Sequence, residues 1–151
     1  MAEIKYISID EAKEIHRLTV KNSGGGSYGS LDLGRLESVL EHIKNDNYYP
    51  LFLDKIVHLF FCACKFHCFE DGNKRIAITL AAEFLLQNGY MAVVREFFLD
   101  MENISYHVAA GHINEDLLEK ILEAVLGHTY EDNESLQLEI YNAISVEEEF
   151  Y

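Results

Sequence analysis

Residues 51–66 read LFLDKIVHLFFCACKF and residues 76–86 read IAITLAAEFLL. Neither stretch shows the one-sided apolar stripe of a surface helix. Apolar side chains fall on nearly every side of both, and a helix that is apolar all round is buried all round. Asp54, Lys55, His58 and Lys65 interrupt the first stretch, so it is too short and too charged to span a bilayer. Two buried helices joined by a short polar loop predict a central antiparallel hairpin with other helices packed around it.

Working outward, Ser8-Ile9-Asp10-Glu11 fits a capping box, and Ile9, Ala12, Ile15 and Leu18 recur at helical spacing, predicting a first helix over about 9–21. The glycine-rich run 22–30 breaks it. That run lacks a following Gly-Lys-Ser/Thr and no strand precedes it, so it reads as a connector and not as a phosphate loop. A second helix is expected over about 31–44, followed by an exposed loop or short hairpin over Lys44 to Pro50. Gly89 caps the second buried helix. Further helices are expected over about 95–110 and from the cap Asn114 to Gly127. The tail from His128 carries Leu136, Ile140, Ala143 and Ile144 at helical spacing, predicting a last amphipathic helix. The expected architecture is all-α, with one domain over 1–127 and an acidic tail over 128–151.

The chain has 151 residues, 49% hydrophobic and 25% charged, ordinary for one globular domain. Its formal charge is −14. A field of that sign repels phosphate backbones and anionic membrane surfaces, so neither DNA nor membrane is expected as a partner. Cys62, Cys64 and Cys68 lie too close together for a disulfide framework, and no secretory pattern opens the sequence, so a reducing cytoplasm is the expected location.

Chemistry concentrates between the two buried helices, in His67-Cys68-Phe69-Glu70-Asp71-Gly72-Asn73-Lys74-Arg75. Asp-Gly-Asn alone is a tight turn. Lys74 and Arg75 need another reason. They fall on the first turn of a helix, where the macrodipole disfavours cations by about 0.3–1 kcal/mol each. Two cations beside unpaired backbone N–H groups fit a multiply charged anion, best a polyphosphate. Asp71 is then a hard oxygen ligand for Mg²⁺ bridging protein and phosphates. Gly72 allows close backbone approach and Asn73 donates its amide to a phosphate oxygen. Lys74 supplies a point charge and Arg75 a bidentate fork. His67 can take a proton from a hydroxyl nucleophile, although the C-terminal end of its helix favours imidazolium. Phe69 anchors the loop in the core.

At these residues the chain resembles the Fic/Doc family, whose motif is His-x-Phe-x-(Asp/Glu/Asn)-(Gly/Ala)-Asn-(Gly/Lys)-Arg. His67, Phe69, Asp71, Gly72, Asn73, Lys74 and Arg75 meet every defining position. Residues 31–38 and 109–113 extend the similarity to death-on-curing (Doc) toxins, over about 4–126. The resemblance implies a helical Fic/Doc bundle and a transferase using ATP as substrate with Mg²⁺. Most members carry glycine at the position of Lys74 and a second arginine at that of Ile78, and transfer AMP. Lys74 and Ile78 resemble the Doc branch, which implies transfer of the γ-phosphate to a protein hydroxyl. It further implies a growth-inhibiting toxin acting on a translation factor such as elongation factor Tu, restrained by an antitoxin. A target-binding flap would correspond to Lys44 to Pro50, with Tyr48 and Tyr49 as clamps. Ser135 and Glu139 have the Ser-x-x-x-Glu spacing of the family's inhibitory helix, but Ile140 and Ile78 depart from that pattern. AMP transfer and a non-catalytic nucleotide-binding module remain open alternatives.

Two other readings of the loop fail on spacing. Cys64, His67 and Cys68 lack a fourth ligand for zinc. Cys68 and His67, adjacent on a helix, point apart and do not make a nucleophile pair.

Overall fold

The structure is a computed structural model that describes residues 3–22, 33–65 and 73–145. Among the described residues there are seven helices and no strand: α1 (Ile9–Asn22), α2 (Leu33–His42), α3 (Phe52–Lys65), α4 (Asn73–Gln87), α5 (Met91–Ala109), α6 (Glu115–Leu126) and α7 (Glu134–Ser145). The expected all-α architecture is the observed one.

The α3–α4 hairpin forms the core. Ile56, Leu59, Phe60, Ile76, Leu80 and Phe84 are each fully buried. Its antiparallel sense follows from Phe52, at the start of α3, stacking on Phe84, near the end of α4, with centroids 4.8 Å apart. α1 runs against α4 and α5 returns over the hairpin, where Phe97 meets Phe60 edge-on. α6 covers the far side of α3, and α7 packs on α6 through Leu136.

Local chemistry sets the helix ends. The Glu11 N–H donates to Ser8 Oγ at 3.1 Å and the Ser8 N–H to Glu11 Oε1 at 3.2 Å, so the capping box forms as expected. Gln87 Nε2 also donates to Glu11 Oε2 at 2.9 Å, tying α1's start to α4's end. That bond, ahead of the Ser8 contacts, holds the Glu11 carboxyl below its ordinary pKa. Asn114 Oδ1 accepts from the Leu117 N–H at 2.8 Å, and Asn133 Oδ1 caps α7 in the same way from Leu136. At Gly89, φ is +88° and the Tyr90 N–H reaches back to the Leu85 carbonyl at 2.9 Å, a Schellman close that suits glycine. This turn lets α5 begin at Met91, ahead of the expected start near residue 95.

The end of α6 departs from that rule. Gly127 has φ −91°, and the left-handed position falls one residue later, on His128 at φ 60°. The Thr129 N–H closes the turn onto the Ala124 carbonyl at 2.8 Å. A side chain there costs about 1 kcal/mol, while the half-exposed His128–Glu96 contact at 3.1 Å returns less. His128→Gly should therefore stabilise the protein by about 0.5 kcal/mol, read as a higher denaturation midpoint.

Lys44 to Pro50 contains turns and no strand. The Asn45 carbonyl accepts from Tyr49 N–H at 2.9 Å, and Asn45 Oδ1 accepts from Asn47 N–H at 2.9 Å. Beneath this loop lies Lys55, fully buried. Its ammonium donates to the Ile43 carbonyl at 2.7 Å and to Asp46 Oδ1 at 2.8 Å, and stands 5.5 Å from the Tyr6 ring centroid.

Candidate functional site

The first turn of α4 carries no acidic residue, and its positions are Asn73, Lys74 and Arg75. His67, Phe69, Asp71 and Gly72 lie outside the described residues, as do the side chains of Asn73 and Lys74. Arg75 is exposed. It stands at one end of a groove of about 310 Å³ whose walls include Leu18 and Thr19 from α1, Thr79 and Leu86 from α4, and Phe98 from α5. Thr79 Oγ1 donates to the Arg75 carbonyl at 3.2 Å and lies 3.3 Å from Thr19 Oγ1. The last turns of α1 are thereby held beside the first turns of α4. Ile78, three residues past Arg75, is buried in the core.

Lys65 ends α3, where a cation suits the helix dipole. Its ammonium is 5.6 Å from the Phe61 ring centroid, and a Cβ on Gly111 would meet it at 3.7 Å. The chain that leaves α3 here returns at Asn73, so one end of the hairpin carries Lys65, Lys74 and Arg75 on the two helices flanking residues 66–72. In a chain of charge −14, that is where cations gather on adjoining helix ends.

Tyr48 and Tyr49 stand elsewhere. They precede α3, whose 14 residues span about 21 Å, at the end opposite Lys65. The structure does not bring them to the start of α4. Tyr48 is exposed, and Tyr49 stacks on His58 with centroids 4.7 Å apart. Burial, then Cys62 and Glu115, hold the Tyr49 phenol above its ordinary pKa. His58 Nε2 is 3.5 Å from Cys62 Sγ and His58 Nδ1 is 3.4 Å from Glu115 Oε1. That order of Cys, His and carboxylate resembles a nucleophile triad, but burial and then Glu115 push the Cys62 thiol up to about 12. A thiol that stays protonated at neutral pH does not attack. The cluster packs α6 onto α3. Spacing could show Cys62 and His58 together, but not Glu115, which arrives from another helix.

Ser135 and Glu139 lie on α7. Both Glu139 carboxylate oxygens accept from Lys120 Nζ of α6 at 3.2 Å, beside a cleft of about 570 Å³ between the two helices. Among the described residues no group of three His, Cys, Asp or Glu side chains could hold a metal ion.

At the close of α5, His107 Nδ1 and His112 Nδ1 are 2.9 Å apart, so at least one ring is neutral. Burial, then the charge of His112, pulls the His107 pKa below its ordinary value, and burial does the same to His16. Both histidines take up protons more readily when unfolded. Their contribution is complete above the ordinary value of 6.5 and falls away as pH drops through it. Melting temperature should fall on going from pH 7.5 to 5.5, with a shallower fall in His107→Gln. Equal slopes in melts followed by circular dichroism would contradict this assignment.

A family model for the Fic/DOC family matches residues 6–85, more than half of the chain, from α1 through the motif into α4. The chain belongs to the Fic/Doc family. No match was found among curated proteins or among solved structures. In this Fic/Doc chain, α5, α6 and α7 lie beyond the matched stretch. No helix among the described residues is long and apolar enough to cross a membrane.

Proposed function

We propose that this Fic/Doc protein transfers the γ-phosphate of ATP to a hydroxyl of a protein target. The observation that carries the proposal is the first turn of α4, which holds Lys74 and Arg75 and no carboxylate inside a complete family motif. The donor set fits a polyphosphate: backbone N–H groups of a helix start, a point charge and a planar fork. Asp71 would hold Mg²⁺, which neutralises charge on the phosphates. His67 accepts the proton of the target hydroxyl as its oxygen bonds to the γ-phosphorus, while the bond from that phosphorus to the β–γ bridging oxygen breaks and ADP leaves. Phe69 anchors the loop, and Gly72, Asn73, Lys74 and Arg75 position the phosphates.

Phosphate transfer is favoured over AMP transfer by Lys74, a long cation where AMP-transferring members have glycine, and by Ile78, a buried aliphatic where they have a second arginine. In the same reading the protein inhibits growth by modifying a translation factor, with elongation factor Tu as the first candidate, in a cytoplasmic toxin–antitoxin arrangement. A separate antitoxin fits better than self-inhibition through Ser135 and Glu139, because Glu139 is engaged by Lys120 and Ile78 offers an inhibitory carboxylate no cation.

The test uses ATP labelled at either the α- or the γ-phosphate, incubated with the protein and a bacterial extract. Label retained on a protein band from the γ-position alone supports the proposal. Label from the α-position establishes AMP transfer instead, and label from neither leaves a nucleotide-binding module.

A further inference from the structure

The outer face of α5 is unlike the outer faces of its neighbours. α1 turns Asp10, Lys13, Glu14 and Arg17 to solvent, and α6 turns Asp116, Lys120 and Glu123. α5 buries Val93, Phe97, Met101, Ile104 and Val108 against the core. On the opposite side it exposes Met91 (75%), Leu99 (72%) and Tyr106 (50%), with Arg95 and Glu102 between them. At 100° per residue these five side chains fall within an arc of about 80°, so they form one stripe along the helix. Neither Arg95 nor Glu102 takes part in a salt bridge with another described residue.

The order along the stripe is self-complementary. Its midpoint lies between Phe98 and Leu99. Positions equidistant from that point are Met91 and Tyr106, and Arg95 and Glu102, while Leu99 beside the axis meets the other copy's Leu99. A two-fold axis through the midpoint places a second α5 antiparallel on the first and sets each member of these pairs opposite the other. Apolar residues meet apolar residues, and Arg95 meets Glu102 twice, once from each copy. A parallel arrangement would instead oppose Arg95 to Arg95 and Glu102 to Glu102. Isologous interfaces need this kind of self-matching surface, and a helix selected only for solubility has no reason to show it.

We infer that α5 is the contact surface of a homodimer, with a second copy of this chain as its occupant. From Met91 to Tyr106 the stripe is about 22 Å long, shorter than interfaces that bury the usual ~800 Å² per partner, so the dimer is reversible, with a Kd on the order of 10 µM. The inference does not depend on the phosphate-transfer reading, because α5 lies outside the family-matched stretch and contributes none of the motif residues.

Sedimentation equilibrium of the full chain, from roughly 1 to 200 µM, tests it across the expected Kd. The wild type should move reversibly between monomer and dimer. Arg95→Glu and Glu102→Arg should each raise Kd at least tenfold, and the double variant R95E/E102R should return it close to wild type. Both positions are exposed, and circular dichroism checks that each variant keeps its helices. A wild type that stays monomeric throughout overturns the inference. So does a dimer whose Kd ignores the single substitutions, or a double variant that fails to recover.

Discussion

On the proposed reading, His67→Ala should lower γ-label transfer to protein by roughly 10²- to 10⁴-fold, while ATP binding should stay near the wild-type level. The asymmetry is physical. Alanine at 67 takes away the acceptor for the hydroxyl proton but leaves Lys74, Arg75 and the backbone N–H groups of the α4 start in place. Arg75→Ala should do the reverse, weakening nucleotide binding and lowering transfer through it. Calorimetric titration with ATP separates the two variants. A His67→Ala protein that still transfers label at the wild-type rate would end the reading of His67 as the base. It would equally end the assignment of transfer to the motif loop.

Asp46→Ala destabilises the protein more than Lys55→Met does, although Asp46 is largely exposed and Lys55 is fully buried. Removing the carboxylate leaves a buried ammonium with one carbonyl and an aromatic face, at a cost of about 2–3 kcal/mol, less than the ~3–5 kcal/mol of a fully buried pair because Asp46 sits at the surface. For a chain of this size that corresponds to a melting point lower by about 5–10 °C. Methionine at 55 removes the charge together with its need for a partner. It leaves the Ile43 carbonyl unpaired and Asp46 in water, a loss of about 1 kcal/mol.

The pH dependence separates the two states of the lysine. In the wild type burial pulls the Lys55 pKa down, but Asp46 and Tyr6 more than offset it, so the net shift is upward. Its contribution is therefore present below the unfolded value and is lost as pH rises through the folded one. In Asp46→Ala the carboxylate is gone and Tyr6 alone opposes desolvation, so the folded value drops relative to the wild type. The variant should then lose less stability than the wild type as pH is raised through the unfolded value. A variant that weakens with pH as the wild type does would show that Asp46 does not hold the charge.

Much of the fold was legible one segment at a time. Ser8 and Glu11, three residues apart, announce the start of α1, and Asn114 announces that of α6. Gly89 closes α4 in the left-handed conformation that a Cβ resists. The all-round apolar character of residues 51–66 and 76–86 placed the hairpin at the centre, because nothing else can be done with two such helices in water. The family motif was legible too, and its two cations on a helix's first turn, which oppose the helix dipole, are what suggested an anion there. His128 was not legible as the left-handed residue, since Gly127 beside it is the better candidate and only the last turn of α6 shifts the position by one.

By itself, then, the sequence determined the helices, most of their caps, the buried hairpin and the family motif over residues 67–75, because each depends on groups within a few positions of one another. Tertiary structure alone decided that Asp46 pairs with Lys55 across the α2–α3 turn, that Glu115 reaches His58, and that Glu139 is held by Lys120. It also decided that Tyr48 and Tyr49 stand a helix length from the start of α4, and that the stripe on α5 faces outward. Those outcomes depend on how rigid helices pack against one another. No property of a short stretch of chain encodes the distance between two side chains carried on different helices.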